Sequence, residues 1–127
     1  GRAKLYVTWR ALTLRRSKPQ VFREGEYVPL KVEGPLAEHV FAFARRAADW
    51  AAITVAPRWF ARLGASEPIG PVWAGNVVET PLAAGRTYRN MLTGETLRPV
   101  QRDGGDGLGL DQVLGQFPVA LLVPVED

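Results

Sequence analysis

The chain of 127 residues has no cysteine, which excludes disulfide frameworks, thiolate zinc sites and cysteine nucleophiles. It has a single histidine, His39, so a multi-histidine metal site is impossible and a catalytic triad would rest on that one residue. His39 opens a strand-like run beside Glu38, the pattern of a structural histidine at an exposed or rim position. No apolar stretch approaches the ~20 residues of a membrane span, and no signal-peptide pattern opens the chain. A cytoplasmic protein without a membrane partner is expected. No methionine precedes Gly1, and the first residues run straight into an amphipathic pattern, as in a piece of a longer polypeptide.

What is present is ordinary in bulk and uneven in detail. Hydrophobic residues at 46% and charged residues at 23% describe a soluble globular chain rather than a disordered one. The length suits one domain and is too short for a barrel enzyme with its own core. Thirteen glycines and ten prolines favour short strands and turns over long helices. The net charge of +3 is asymmetrically placed. Arg2, Lys4, Arg10, Arg15, Arg16, Lys18 and Arg23 have no acid among them, whereas no base follows Arg102. A nucleic-acid surface would interleave its bases with exposed aromatics along a groove or sheet. Here the bases cluster mostly on one helix, which reads as a solvated or partner-facing helix and not as a nucleic-acid site.

That helix is predicted over Lys4–Arg16. Leu5, Trp9 and Leu12 stack at i, i+4 and i+7, and Trp9 is expected in the core. Val7 and Leu14 widen that face or create a second one, so the helix needs more than one neighbour. Its terminal arginines suit the helix dipole, and Ser17-Lys18-Pro19 stops it. From Tyr27 the period changes to two. Strands are predicted at Tyr27–Val32, with Pro29 marking an edge, at His39–Arg45 and at Ala51–Ala56. Arg46–Trp50 fits a glycine-free hairpin connection. Arg58–Trp73 is a longer excursion. Further short strands are expected at Val77–Glu79, Thr87–Asn90 and Thr96–Leu97, with a tight turn at Leu92–Glu95. Asp103–Gly107 reads as a mobile loop, Leu110–Leu114 as a helical turn or strand, and Val119–Val123 as a strand buried on both faces. One helix followed by short strands gives a mainly β chain, an antiparallel β-sandwich or barrel.

The chemistry-bearing residues are sparse. Glycosidic acid–base work needs two carboxylates ~5–10 Å apart on rigid elements, yet the acids are scattered, Glu24, Glu26 and Glu33 in turns and Asp103 and Asp106 in the glycine-rich run, so nothing pre-organises a pair. Asp103–Gly107 lacks the ligand spacing and terminal glutamate of a calcium loop, and Gly105–Gly109 lacks the lysine and strand-to-helix setting of a phosphate loop. Trp50, Trp59 and Trp73 lie at strand ends or in the excursion. Each is a candidate either to stack on a sugar or to plug an interdomain interface.

Several segments carry a resemblance. Lys4–Leu12 (KLYVTWRAL) with Arg15-Arg16, Pro19 and Phe22 is similar to the closing stretch of the malto-oligosyltrehalose synthases, members of the α-amylase superfamily. The similarity continues in Gly25–Gly34 (GEYVPLKVEG), Ala37–Arg45 (AEHVFAFAR), Val55–Arg58 (VAPR), Tyr88–Gly94 (YRNMLTG) and Phe117–Leu122 (FPVALL). The chain departs from the family pattern in Arg58–Thr80 and Asp103–Gly109. The resemblance implies that residues 1–24 are the last helix of a truncated (β/α)8 barrel and residues 25–127 the C-terminal antiparallel β-sandwich. It implies a parent that converts the reducing-end α-1,4 bond of a maltodextrin into an α,α-1,1 bond. The catalytic carboxylates of that superfamily lie on barrel strands, and none maps onto this chain. The chain by itself is thus expected to be non-catalytic, without cofactor or metal. Its expected partners are the upstream barrel and, through the parent, maltodextrin. The alternative is a stand-alone α-glucan-binding β-domain that uses Trp50, Trp59 and Trp73.

Overall fold

A computed structural model describes residues 2–58 and 69–125. Helix α1 (Arg2–Ser17) occupies the predicted span, but the chain does not leave the helical region after it. Lys18 interrupts it, and a second helix, α2 (Pro19–Glu24), starts with Pro19 in its first turn, where a missing N–H costs nothing. Two helical segments, not one, therefore precede the strands. The chain turns extended at Gly25, whose N–H still bonds the Val21 carbonyl at 2.8 Å.

The strands are β1 (Glu26–Pro29), β2 (Val32–Glu33), β3 (Val40–Ala47), β4 (Trp50–Pro57) and β5 (Val77–Glu79). There follow β6 (Tyr88–Asn90), β7 (Thr96–Leu97), β8 (Val100–Arg102) and β9 (Gly105–Gly109). After the single helical turn α3 (Leu110–Val113) comes β10 (Ala120–Pro124). Among the described residues they form two antiparallel sheets. One has six strands in the order β1-β3-β4-β10-β6-β7, the other four in the order β2-β5-β9-β8. The sheets face each other across one core, making the expected β-sandwich.

Alternation builds that core. Val40, Ala42 and Ala44 of β3 and Ala51, Ile53 and Val55 of β4 point inward to meet Val78 and Leu108 of the smaller sheet. Strand β10 is covered on both faces, as its sequence predicts. Leu122 enters the main core, while Leu121 joins Leu14, Ala52 and Leu92 in a second cluster beneath α1. The layers are thus helices, six-stranded sheet, four-stranded sheet.

Three expectations need correction. The Tyr27–Val32 segment is two strands in different sheets, because the chain crosses over at Leu30-Lys31. There the Leu30 N–H bonds the Ala42 carbonyl (3.1 Å), while the Lys31 carbonyl accepts from Glu79 N (3.0 Å). Pro29 does mark an edge, since β1 is the outermost strand of its sheet. The glycine-rich run is not a mobile loop. Asp103-Gly104 forms a two-residue hairpin turn, with Gly104 at φ 90°, and Gly105–Gly109 is an interior strand paired with β5 and β8. Glycine serves there because a Cβ at Gly107 would stand 2.5 Å from Val77 Cγ1. Finally, Trp9 is 58% and Leu12 47% exposed, so the face they share is not the one that meets the core.

Leu110–Val113 resolves the remaining ambiguity as helical. The connection between β3 and β4 shrinks to Ala48-Asp49, with Ala48 at φ 54°. The end of the long excursion is a 3₁₀ turn, Gly70–Trp73.

Candidate functional site

The helix-covered face of the six-stranded sheet gathers most of the distinctive residues. Its anchor is the turn after β6. Asn90 is fully buried, and its Oδ1 accepts from Leu92 N at 3.0 Å while its Nδ2 donates to the Val113 carbonyl at 3.4 Å. The Asn90 carbonyl accepts from Gly94 N (2.7 Å), with Gly94 at φ 81°. The turn closed in this way presents its own carbonyls outward to α1. Tyr6 Oη donates to Leu92 O and Arg10 Nε donates to Met91 O, each at 2.8 Å. Below them, Leu14 is buried and the Tyr6 ring meets Phe117 edge-on at 6.3 Å. Arg45 Nη2 donates to the Phe22 carbonyl in the last turn of α2, at 2.7 Å. The YRNMLTG segment singled out in the sequence is therefore the clamp that holds the first helix onto the sandwich.

The clamp uses Tyr6, Arg10 and Leu14, so Trp9 and Leu12 are turned outward. Between α1 and α2 lies an open notch of about 480 Å³, lined by Leu12, Pro19 and Phe22 and rimmed by Arg15, Arg16 and Arg23. This is a surface with apolar ground and positive edges. The exposed Trp9 ring carries Arg10 at 5.6 Å from its centroid.

Of the three candidate tryptophans, the two among the described residues, Trp50 and Trp73, lie in different clusters. Trp73 is wholly enclosed in the main core and has no face to offer a ligand. Trp50 is half-buried at the start of β4, packs against the Leu14 cluster and lies beneath Lys18 Nζ at 5.4 Å. It sits where helix and sheet meet, lining a hollow of about 270 Å³ with Arg89 and Met91. Trp59 lies outside the described residues.

The exposed aromatics the sequence reading passed over are Tyr27 and Phe41, with Phe43 between them. Tyr27 and Phe43 stack at 5.3 Å, and Phe41 and Phe43 tilt at 5.3 Å. Alternation within VFAFAR was the available signal, since it puts Phe41, Phe43 and Arg45 on one face of β3.

Glu33, Glu79, Asp103 and Asp106 surround a shallow hollow on the other sheet. Glu33 is gripped by Arg102 (2.5 Å) and Lys31 (3.3 Å), and those two cations hold its carboxyl below the ordinary carboxylate range. Glu79 accepts from the Lys31 N–H at 2.9 Å. A general acid needs the opposite shift. His39 ends a short 3₁₀ turn and is half-buried, its carbonyl accepting from Arg58 N at 2.8 Å. Among the described residues no group of histidine and carboxylate side chains could hold a metal ion.

Two packed antiparallel sheets with helices on the outer face of the larger one define a β-sandwich domain of the kind found in amylase-type enzymes. No protein-family model matches the chain. Over 60 residues it is 43% identical to curated proteins of Mycobacterium tuberculosis, strains CDC 1551 and H37Rv, that bear the name maltooligosyl trehalose synthase. That match takes in 47% of this chain and 8% of each relative. Among solved structures, a mutant maltooligosyltrehalose synthase from Arthrobacter ramosus superposes with a TM-score of 0.70 at 30% identity. It covers 98% of this chain, which in turn spans 14% of that protein. The chain is similar in sequence, and along nearly its whole length in fold, to a domain-sized part of maltooligosyltrehalose synthases.

Proposed function

We propose that this chain serves as the C-terminal, non-catalytic β-domain of a cytoplasmic enzyme of the maltooligosyltrehalose synthase type. In this reading residues 1–24 close a catalytic (β/α)8 barrel and residues 25–127 buttress it. The parent's reaction is an intramolecular transglucosylation, in which the reducing-end α-1,4 bond of a maltodextrin is exchanged for an α,α-1,1 bond. The observation that carries the reading is the two-faced helix α1. One face is clamped to the sandwich through Tyr6, Arg10 and Leu14, and the other presents Trp9 and Leu12 to a neighbour. Such a helix welds two bodies, and an exposed tryptophan–leucine face on a clamped helix is costly to leave in water. The ion-paired state of Glu33 agrees with chemistry performed elsewhere.

The test is turnover of maltopentaose, followed by formation of a non-reducing end product. The chain alone is expected to give none, and activity should require its covalent or non-covalent union with a barrel. Turnover by the chain alone overturns the proposal. The alternative, glucan binding through tryptophans, rests on Trp50 and Trp59, since Trp73 is enclosed.

A further inference from the structure

The outer side of the helical layer carries unpaired charge next to its exposed apolar residues. Arg16 stands one turn past Leu12 on α1, so Trp9, Leu12 and Arg16 follow the i, i+3 and i+7 spacing of a single helix face. That strip runs ~10 Å along the helix. It leads into the notch of about 480 Å³ whose floor is Leu12, Pro19 and Phe22 and whose rim is Arg15, Arg16 and Arg23. Arg15 is already engaged, its guanidinium lying over the Phe22 ring at 5.7 Å from the centroid. Arg16 and Arg23 are exposed, and neither takes part in an ion pair among the described residues, where Glu26 serves Arg46 and Glu33 serves Lys31 and Arg102. Residues 2–23 supply seven bases and no acid, so the segment does not neutralise itself.

We infer that this notch receives an acidic segment of the catalytic body proposed above, with one apolar side chain on the Leu12–Pro19–Phe22 floor and carboxylates paired with Arg16 and Arg23. The source of the segment rests on that reading; its chemistry rests on the notch. An apolar group that fills the floor also strips water from the rim, and a guanidinium desolvated without an anion is costly. Carboxylates answer that cost, because their two oxygens match the fork of a guanidinium. The concave shape selects a polypeptide over an anionic membrane. A bilayer surface suits a protruding apolar face whose cations reach up beside it, whereas here the cations stand around a depression. A small free anion would meet the arginines yet leave Leu12 47% and Trp9 58% exposed.

The experiment titrates the full chain with a capped peptide of two glutamates, leucine, phenylalanine and two glutamates, read by amide shifts and calorimetry at low salt. Its counterpart with lysine in place of every glutamate is the control. Saturable binding of the acidic peptide at millimolar or lower concentration is expected, with shifts centred on Leu12, Arg16 and Arg23, and added salt should weaken it. The double variant Arg16→Glu/Arg23→Glu should lose about tenfold for the acidic peptide and gain binding of the lysine peptide. That exchange of preference reports pairing and not a general loss of structure, and circular dichroism confirms that the variant is folded. Leu12→Ser should weaken binding of the acidic peptide without changing the charge preference. No saturable binding by the folded chain, equal binding of the two peptides, or indifference to the double variant overturns the acidic contact. Vesicles of phosphatidylserine and phosphatidylcholine that bind the chain through Arg16 and Arg23, where the acidic peptide does not, overturn it in favour of a membrane. None of these results touches the non-catalytic reading, which turnover of maltopentaose tests.

Discussion

Ala48 is the only non-glycine residue at positive φ among the described residues, at 54°, in the two-residue turn between β3 and β4. An L side chain there costs roughly 1–2 kcal/mol, and glycine removes that cost while adding some freedom to the unfolded chain. Ala48→Gly is therefore expected to stabilise the fold by about 0.5–1 kcal/mol, seen as a raised midpoint of urea unfolding. Asn90 stands at the opposite extreme. With its amide bonded on both sides in the core, Asn90→Ala should cost about 1–3 kcal/mol by stranding the Leu92 N–H. Because the same turn offers carbonyls to Tyr6 and Arg10, hydrogen exchange of the α1 amides should also accelerate. Tyr88 is fully enclosed, and burial is the main cause that raises its phenol above the ordinary 10.0. A raised value means that the unfolded chain ionises first. The corresponding stability is whole below pH 10.0 and is lost as pH climbs from there through the folded value. Denaturation of the wild type should therefore steepen on the alkaline side relative to Tyr88→Phe, which has no phenol to ionise.

At the scale of elements, the two faces of α1 make opposite forecasts for similar residues two positions apart. Leu14→Ala should cost about 2–5 kcal/mol, since it empties the cluster with Ala52, Leu92 and Leu121. Leu12→Ala should lie within about 0.5 kcal/mol of the wild type, because Leu12 stands in solvent in this chain. Equal losses in chemical denaturation would refute the clamp geometry. The helix itself was legible from its period, but the face was not. Leu5, Trp9 and Leu12 are the better apolar stripe by spacing, and the winning face is chosen by the Met91 and Leu92 carbonyls, which need donors such as Tyr6 and Arg10. The glycine-rich run misled for a related reason. Glycine at that density usually marks a loop, but here the side chains of Val77 and Arg102 on the flanking strands fill the space of a Cβ at Gly107. Gly107→Ala should disrupt the pairing of β9 with β5, read as lost exchange protection at Val78 and Leu108.

For the whole molecule, the helices form one of three layers and are not an appendage. Removing residues 2–24 would strip the cover from Leu121, Ala52 and Leu92, so the remainder should bind a hydrophobic dye and self-associate. A soluble, dye-silent remainder would show the sandwich to be independent of its helices. The sequence by itself determined that the chain is β-rich after its first helix and that no cysteine or multi-histidine chemistry is available. It also determined that β10 is buried on both faces. Composition and period are local properties, and these conclusions need nothing more. Only the tertiary structure decided that Trp73 is core, that Trp9 is exposed, and that Tyr27, Phe41 and Phe43 line up beside two arginines. Each of those depends on which strand lies next to which and which way a helix rolls on a sheet. Contacts between residues distant in the chain set those choices, and no window of sequence contains both partners.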